Sequence, residues 1–338
     1  MSAPDLAPRL RPAFERRRIL AGALGSLAAL AAGPAALRAL ARAQGRQAET
    51  RAGLAFGTTV SLTLVGAQGA ELEPAFRAGF RAIRAVEAAT SLYRPDSALA
   101  RLNRDGRLDD PDPLLVEQLR FALDLAAASA GAFDPTVQPL WTLWAETTAR
   151  GARPDAGALA HAVAHVGWRG VAIGKDAIRL ARPGMGVTLN GLVQGFAADR
   201  VLTALREHGI ADAFVDTGEF GALGRHADGT PWRLGIGGPR HDGELAAVIE
   251  PFTGFASTSG DDATTFSPDR RDHHIFDPAT GTSPQALSAV TVTAPSGLLA
   301  DALSTAAFVL GPEAGAALVA RYPGAAARFT AKGDARSG

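Results

Sequence analysis

RDHHIFDPATGTSPQALSAVTVTAPSGLLADALSTAAFVLG, residues 271–311, carries the reading on which the rest of this chain depends. Its last third has the marks of a helix: Ser296 stands where an N-cap belongs, and Gly311 followed by Pro312 closes the run. Between Gly297 and Gly311 the one charged residue is Asp301, set among Leu298, Leu299, Leu303, Phe308, Val309 and Leu310. A helix apolar nearly all round is a buried helix, and a carboxylate is seldom buried without a partner. Thr305 lies four residues on, so its hydroxyl and the carboxylate share a face one turn apart. Two arrangements satisfy such a group. The first is a hard cation such as magnesium, which takes carboxylate and hydroxyl oxygens and completes its shell with water or phosphate. The second is a hydrogen bond to Thr305, to backbone, or to an arginine from elsewhere.

Working outward, strands are expected at Thr58–Val65, Ala213–Asp216, Trp232–Ile236, Ala246–Glu250, Phe255–Thr258, Ala289–Thr293 and near Ala326–Thr330, with a hairpin over Val171–Leu180. Helices are expected at Glu73–Thr90, after Ser97, at Pro113–Ala130, Asp155–Val166, Gly191–Glu207, from Leu298 and from Glu313. The stretch Gly131–Trp144, with two prolines and two tryptophans, reads as an ordered loop with a helical turn. Runs of strands with helices grouped between them indicate an α+β fold of mixed, largely antiparallel sheets packed with helices. No linker divides the chain, so residues 44–331 form one unit with room for two lobes, and a disordered tail is expected over 332–338.

Composition narrows the function. Acidic and basic residues balance at 34 each, which leaves no electrostatic footprint for nucleic acid. The absence of cysteine excludes disulfides, thiolate catalysis, zinc–thiolate sites and a lipid-modified N-terminal cysteine. Arg16-Arg17-Arg18 precede a weakly hydrophobic run of small residues, and Ala41-Arg42-Ala43 supplies a small-x-small cleavage site. The run from Ile19 is nearly long enough for an uncleaved membrane anchor, but its Ala/Gly content, Pro34 and Arg38 favour cleavage. Residues 1–43 therefore read as a Tat-type export signal, with the mature protein starting near Gln44 in the periplasm. Glycine-bearing turns recur, but the P-loop, Rossmann and GxSxG motifs are missing. His273 and His274 are adjacent on extended chain, so at most one faces a given site.

Taken in order, the segments GTTVSLTL, SLYRPDSALARLN, GAFDPTVQPLWTLW, LNGLVQGFAADRV, DTGEFGALG, PWRLGIGGP, STSGDD, HHIFDPATGTSP, AVTVTAP and ADALSTAAFVLG resemble the ApbE family, the FAD:protein FMN transferases. The resemblance runs from about Leu54 to Pro323; each piece is weak, and ten in sequence are specific. It implies an enzyme that splits FAD with Mg2+, attaches FMN through a phosphoester to a Thr or Ser of a redox protein, and releases AMP. By the same resemblance, Asp301 and Thr305 hold magnesium with a backbone oxygen near Gly191. Tyr93, the Ala132-Phe133-Asp134 run and Phe276 line the flavin or adenine pockets, and His274 sits where it can help deprotonate the incoming hydroxyl.

The chain departs from the family at four places. Thr188 replaces an aspartate that contacts FAD, Gln194 replaces a Lys or Glu, Phe56 replaces a methionine, and Gly218-Glu219 replaces paired glycines. Either Glu219 or Asp216 compensates at a reshaped cofactor site, or this branch holds FAD and transfers slowly. The acceptor implied is a periplasm-facing domain of a membrane-bound electron-transfer protein. A Tat-exported member without a lipobox also resembles the accessory flavoprotein of nitrous-oxide-reductase maturation. The alternatives carried are a non-catalytic FAD carrier and an FAD pyrophosphatase.

Overall fold

The structure is a computed structural model that describes residues 45–67, 70–237 and 245–333. The expected export signal and residues 334–338 lie outside the described residues. The chain opens with a hairpin, β1 (Arg46–Ala55) and β2 (Thr58–Ala67), turned by Phe56 and Gly57, both at positive φ. Two left-handed residues match the twist of the flanking strands. Then follow α1 (Glu73–Thr90), α2 (Ala98–Asp105), β3 (Arg107–Asp109), α3 (Pro113–Ala128), α4 (Gln138–Ala149), α5 (Ala156–Val163), β4 (Val171–Ile173) and β5 (Ala177–Leu180). The second half contributes α6 (Val193–Glu207), β6 (Asp212–Asp216), β7 (Phe220–Leu223), β8 (Trp232–Gly237), β9 (Leu245–Phe252), β10 (Gly254–Gly260), β11 (Leu287–Ala294), α7 (Gly297–Leu310), α8 (Pro312–Val319) and β12 (Ala326–Ala331).

Seven strands form the central sheet in the order β1-β2-β6-β7-β10-β11-β12, every pairing antiparallel. Strand alternation divides the core between its two faces. Val60, Leu62 and Leu64 of β2, Ala213 and Val215 of β6, and Phe255 of β10 turn toward the main core with α1, α6 and α7. Val65, Phe214, Phe220 and Ala256 turn the other way, onto Trp232, Leu234 and Phe252 of the β8–β9 ribbon. A third cluster joins Leu140 and Trp144 of α4 and Ala162 of α5 to Phe276, with Phe266 packed against them. The α+β expectation holds, and its sheets are antiparallel as anticipated.

Four elements differ from expectation: the short β3, which pairs with β5 over three residues, and three others, each for a physical reason. The α4 helix is longer than the helical turn expected in this stretch: Pro139 lies in its first turn, where proline removes no intrahelical hydrogen bond. The β7 strand was hidden by glycine; a Cβ at Gly221 would lie within 2.9–3.1 Å of Val215, Leu202 and Phe255, so the glycine is a packing requirement. The β1 strand has little apolar alternation, because it is an edge strand held by its ladder to β2. Lys332, assigned to the tail, is anchored. Its N–H donates to Ala286 O, its Nζ donates to Arg270 O at 2.6 Å, and its ammonium lies 3.3 Å from buried Asp261.

Candidate active site

The site is built where α6 and α7 touch. A Cβ on Gly195 would overlap the Gly297 carbonyl oxygen, and one on Gly297 would overlap Gly195 O, so only glycine lets these backbones meet. Asp301, one turn along α7 and 5 % exposed, uses this approach. Its Oδ2 accepts the Gly195 N–H at 2.9 Å, and its Oδ1 accepts the Ser257 hydroxyl at 3.1 Å. Gly195 lies in the first turn of α6, where backbone N–H groups have no intrahelical acceptor, and a carboxylate there is favoured by the helix dipole. From β10, Ser259 reaches the same wall: its Oγ is 2.8 Å from Ser304 Oγ and 3.0 Å from Thr305 Oγ1. Ser257 and Ser259 are two apart on a strand, so their hydroxyls share a face. That spacing was the readable signal for two residues the sequence reading did not single out.

Asp301 and Thr305 open onto a cavity of about 190 Å³, whose lining also includes Ala132, Phe133, Asp134, Thr188, Gly191, Gln194, His274 and Phe276. Ten of the residues singled out by sequence thus meet in one place. Phe56 and Tyr93 do not line it. Phe56 sits in the β1–β2 turn, its N–H donating to Glu87 at 2.7 Å and its ring against the main core. Tyr93 is 76 % exposed on the loop before α2.

The two histidines part as strand geometry requires. His273 is fully buried; its Nε2 faces Pro284 O at 3.2 Å and its ring meets Phe308 edge-on. Burial pushes its pKa down to about 4, so the ring is neutral. His274 lines the cavity with Nδ1 3.2 Å from Thr264 O. A carbonyl only accepts, so Nδ1 carries the proton and Nε2 is the basic nitrogen.

Asp134 is committed to architecture: Oδ1 accepts from Thr136 N–H and O–H at 2.8 and 2.6 Å, and Oδ2 from Trp168 N–H at 2.9 Å. Burial raises its pKa, and those three donors oppose the rise. Of the two acids expected to compensate for Thr188, Glu219 lines the cavity and accepts the Thr258 N–H at 3.1 Å. Asp216 does not line it and instead accepts the Gly218 N–H at 2.9 Å. Thr188 is held from behind. Asn103 both donates to Val187 O and accepts from Val187 N–H, each at 2.7 Å. The Thr188 hydroxyl accepts the Asn190 N–H at 3.2 Å.

A model of the ApbE family matches residues 56–329. The chain belongs to the ApbE family. It is 33 % identical over 305 residues to the FAD:protein FMN transferase of Treponema pallidum, covering 83 % of each chain. To the FAD:protein FMN transferase of Klebsiella pneumoniae it is 33 % identical over 276 residues, covering 77 % of this chain and 78 % of that protein. Among solved structures, the apo Pseudomonas stutzeri flavinyl transferase ApbE superposes with a TM-score of 0.74 at 34 % identity, covering 87 % of this chain and 92 % of that one. The Vibrio cholerae flavin transferase ApbE gives a TM-score of 0.74 at 28 % identity, covering 86 % and 95 %.

The polar wall of this ApbE-family cavity fits a hard cation. Its donors are a carboxylate and hydroxyls, oxygen throughout, which suits magnesium and disfavours soft metals. A Cβ on Gly191 would lie 3.1 Å from Thr305 Oγ1, so the glycine keeps the backbone pressed against the hydroxyl. No group of three His, Asp or Glu side chains placed to hold a metal occurs among the described residues. Asp301 and Thr305, with the backbone at Gly191, would supply part of a shell of the kind magnesium completes with water and phosphate.

Proposed function

We propose that this chain is a magnesium-dependent FAD:protein FMN transferase acting on a periplasm-facing domain of a membrane-bound electron-transfer protein. The observation that carries the reading is the buried Asp301 carboxylate, opening with Thr305 onto a cavity that also presents His274 and Phe276. Family membership and the named activity of its relatives support it. In the reaction the acceptor hydroxyl oxygen bonds to the phosphorus of the FMN half. The phosphoanhydride bond to the AMP half breaks, and AMP leaves with the electron pair. His274 Nε2 takes the hydroxyl proton, help worth about 10²–10⁴-fold. Asp301, Thr305 and the Gly191 backbone oxygen would hold the magnesium. When bound, that ion supplies Lewis-acid stabilisation of charge on the non-bridging phosphate oxygens. Phe133 and Phe276 offer flat apolar surface for the flavin or adenine ring, while Gln194, Thr188 and Glu219 offer polar contacts.

The address and the acceptor belong to the same proposal. The twin arginines and small-residue cleavage site support Tat export to the periplasm. Among the described residues no helix is long and apolar enough to cross a membrane. The resemblance to the exported accessory branch supports a place in nitrous-oxide-reductase maturation. Incubation of the mature protein with FAD, Mg2+ and an acceptor domain tests the activity: a covalent fluorescent flavin on the acceptor with stoichiometric AMP is expected. Bound FAD without AMP would make the protein a carrier, the alternative that the Thr188 replacement motivates. FMN and AMP without acceptor would make it a pyrophosphatase. In cells, Arg16-Arg17→Lys-Lys should abolish export, and deleting the gene should remove one flavin-fluorescent membrane band.

A further inference from the structure

Two helices of this protein carry the same spacing, Gly195 and Asp199 on α6, Gly297 and Asp301 on α7. Each aspartate accepts a hydrogen bond from the other helix's glycine: Gly195 N–H donates to Asp301 at 2.9 Å, and Gly297 N–H donates to Asp199 Oδ1 at 2.8 Å. Asp199 Oδ2 accepts two more, from Leu298 N–H at 2.7 Å and from the Ser296 hydroxyl at 2.9 Å. Residues four apart lie one turn apart on one helix face. The two carboxylates therefore bracket the glycine contact like paired clasps.

Asp199 caps the first turn of α7 together with Ser296: Ser296 Oγ accepts the Leu299 N–H at 3.3 Å, and Asp199 takes the Gly297 and Leu298 N–H groups that Ser296 does not reach, but from another helix. Hydrogen bonds that arrive from a second helix fix the position of one helix against the other. Asp199 lines no part of the cavity. Its bonds end at Leu298, three residues before Asp301 and within the same rigid helix.

We propose that Asp199 is a positioning residue for flavin transfer: it fixes the register of α7 on α6 and so holds the Asp301 carboxylate and Thr305 hydroxyl against the Gly191 backbone. This rests on the transferase reading for the reaction it serves, but its physical content is the geometry of a cation shell. Without Asp199 the two helices lose three of the hydrogen bonds that fix their register, and the oxygen donors lose their common focus. Phe276, elsewhere in the lining, packs with α4 and α5 in a cluster separate from the one that holds α6 and α7.

The test uses the full mature protein and Mn2+ as the probe, titrated by electron paramagnetic resonance with FAD present and no acceptor. In Asp199→Asn, one oxygen that accepts N–H bonds becomes an NH2 group facing donors. The Mn2+ dissociation constant should rise about 10–100-fold, as is usual when a partner that orients a metal ligand is lost. FMN transfer should need correspondingly more Mg2+, while KM for FAD stays within about twofold. Ser296→Ala, which keeps both backbone bonds to Asp199, should weaken Mn2+ about threefold and guards against an Asn variant that fails to fold. Wild-type Mn2+ affinity in either variant, with only a lowered Tm, would make Asp199 merely structural and overturn the proposal. A wild type that binds Mn2+ but flavinylates nothing would defeat the transferase reading alone, and the Mn2+ comparison would still decide the role of Asp199.

Discussion

On one side of the cavity Gly195 and Gly297 bring two helix backbones into contact and place carboxylate and hydroxyl oxygens around the junction. The other wall presents Phe276, backed by Trp144 and Phe266 stacked ring on ring, with centroids 5.7, 6.1 and 6.5 Å apart. The first wall is set by backbone contact and directional hydrogen bonds, so a single added methyl has nowhere to go. The second is set by area and shape, and aromatic pairs of this kind tolerate offset and tilt, each contributing about 0.5–1.5 kcal/mol beyond burial. Placing charge-handling groups on the stiff wall and ring-binding groups on the adaptable one suits a substrate whose reacting phosphate needs tight aim and whose ring does not.

The sharpest break of this contrast is Asp301→Asn. It should lower Mg2+-dependent FMN transfer by about 10³-fold, the scale of losing a transition-state electrostatic partner, with the far-UV circular dichroism unchanged; wild-type turnover would remove the cation role. Next, Gly195→Ala should cost about 3 kcal/mol or more in urea denaturation, because the obstruction is backbone and cannot rotate away.

Of similar size is the pH dependence from His273. Its folded pKa of about 4 lies below the unfolded value of about 6.5. Between those values the unfolded chain binds the proton and the folded chain does not, so stability present above pH ~6.5 is lost as pH falls toward 4. The full effect is about 3 kcal/mol, and His273→Gln should flatten that slope in denaturation midpoints measured from pH 7 to 4. The smallest effect belongs to the adaptable wall. Phe276→Leu should cost about 1 kcal/mol of stability and raise KM for FAD severalfold with turnover nearly kept. A loss of turnover as large as that of Asp301→Asn would erase the distinction between the walls.

The stiff wall was also the more legible in sequence. A single acid in an apolar helix announces itself, and Thr305 follows from helical spacing. The opposed fates of His273 and His274 follow from extended-chain geometry. What escaped reading was whatever depends on a neighbour distant in the chain. Gly195, Gly297 and Asp199 look like an ordinary glycine, a helix start and a solvated charge until the helices are crossed. Pro135 and Pro139 suggest a loop, yet the second proline opens α4. The glycine of β7 suggests a turn, yet it is demanded by Leu202 and Phe255 lying above it. The resemblance puts Tyr93 at the flavin or adenine pockets and Phe56 in place of a methionine, and neither lines the cavity.

Asn103 links two parts of the molecule that otherwise look unrelated. With one amide it supplies both rungs of a ladder to Val187, next to Thr188. The helix that carries it begins at Ala98, just beyond the solvent-facing Tyr93 loop, and spans eight residues, or about 12 Å. One short helix thus follows the exposed Tyr93 loop and, through Asn103, ties down the backbone beside Thr188.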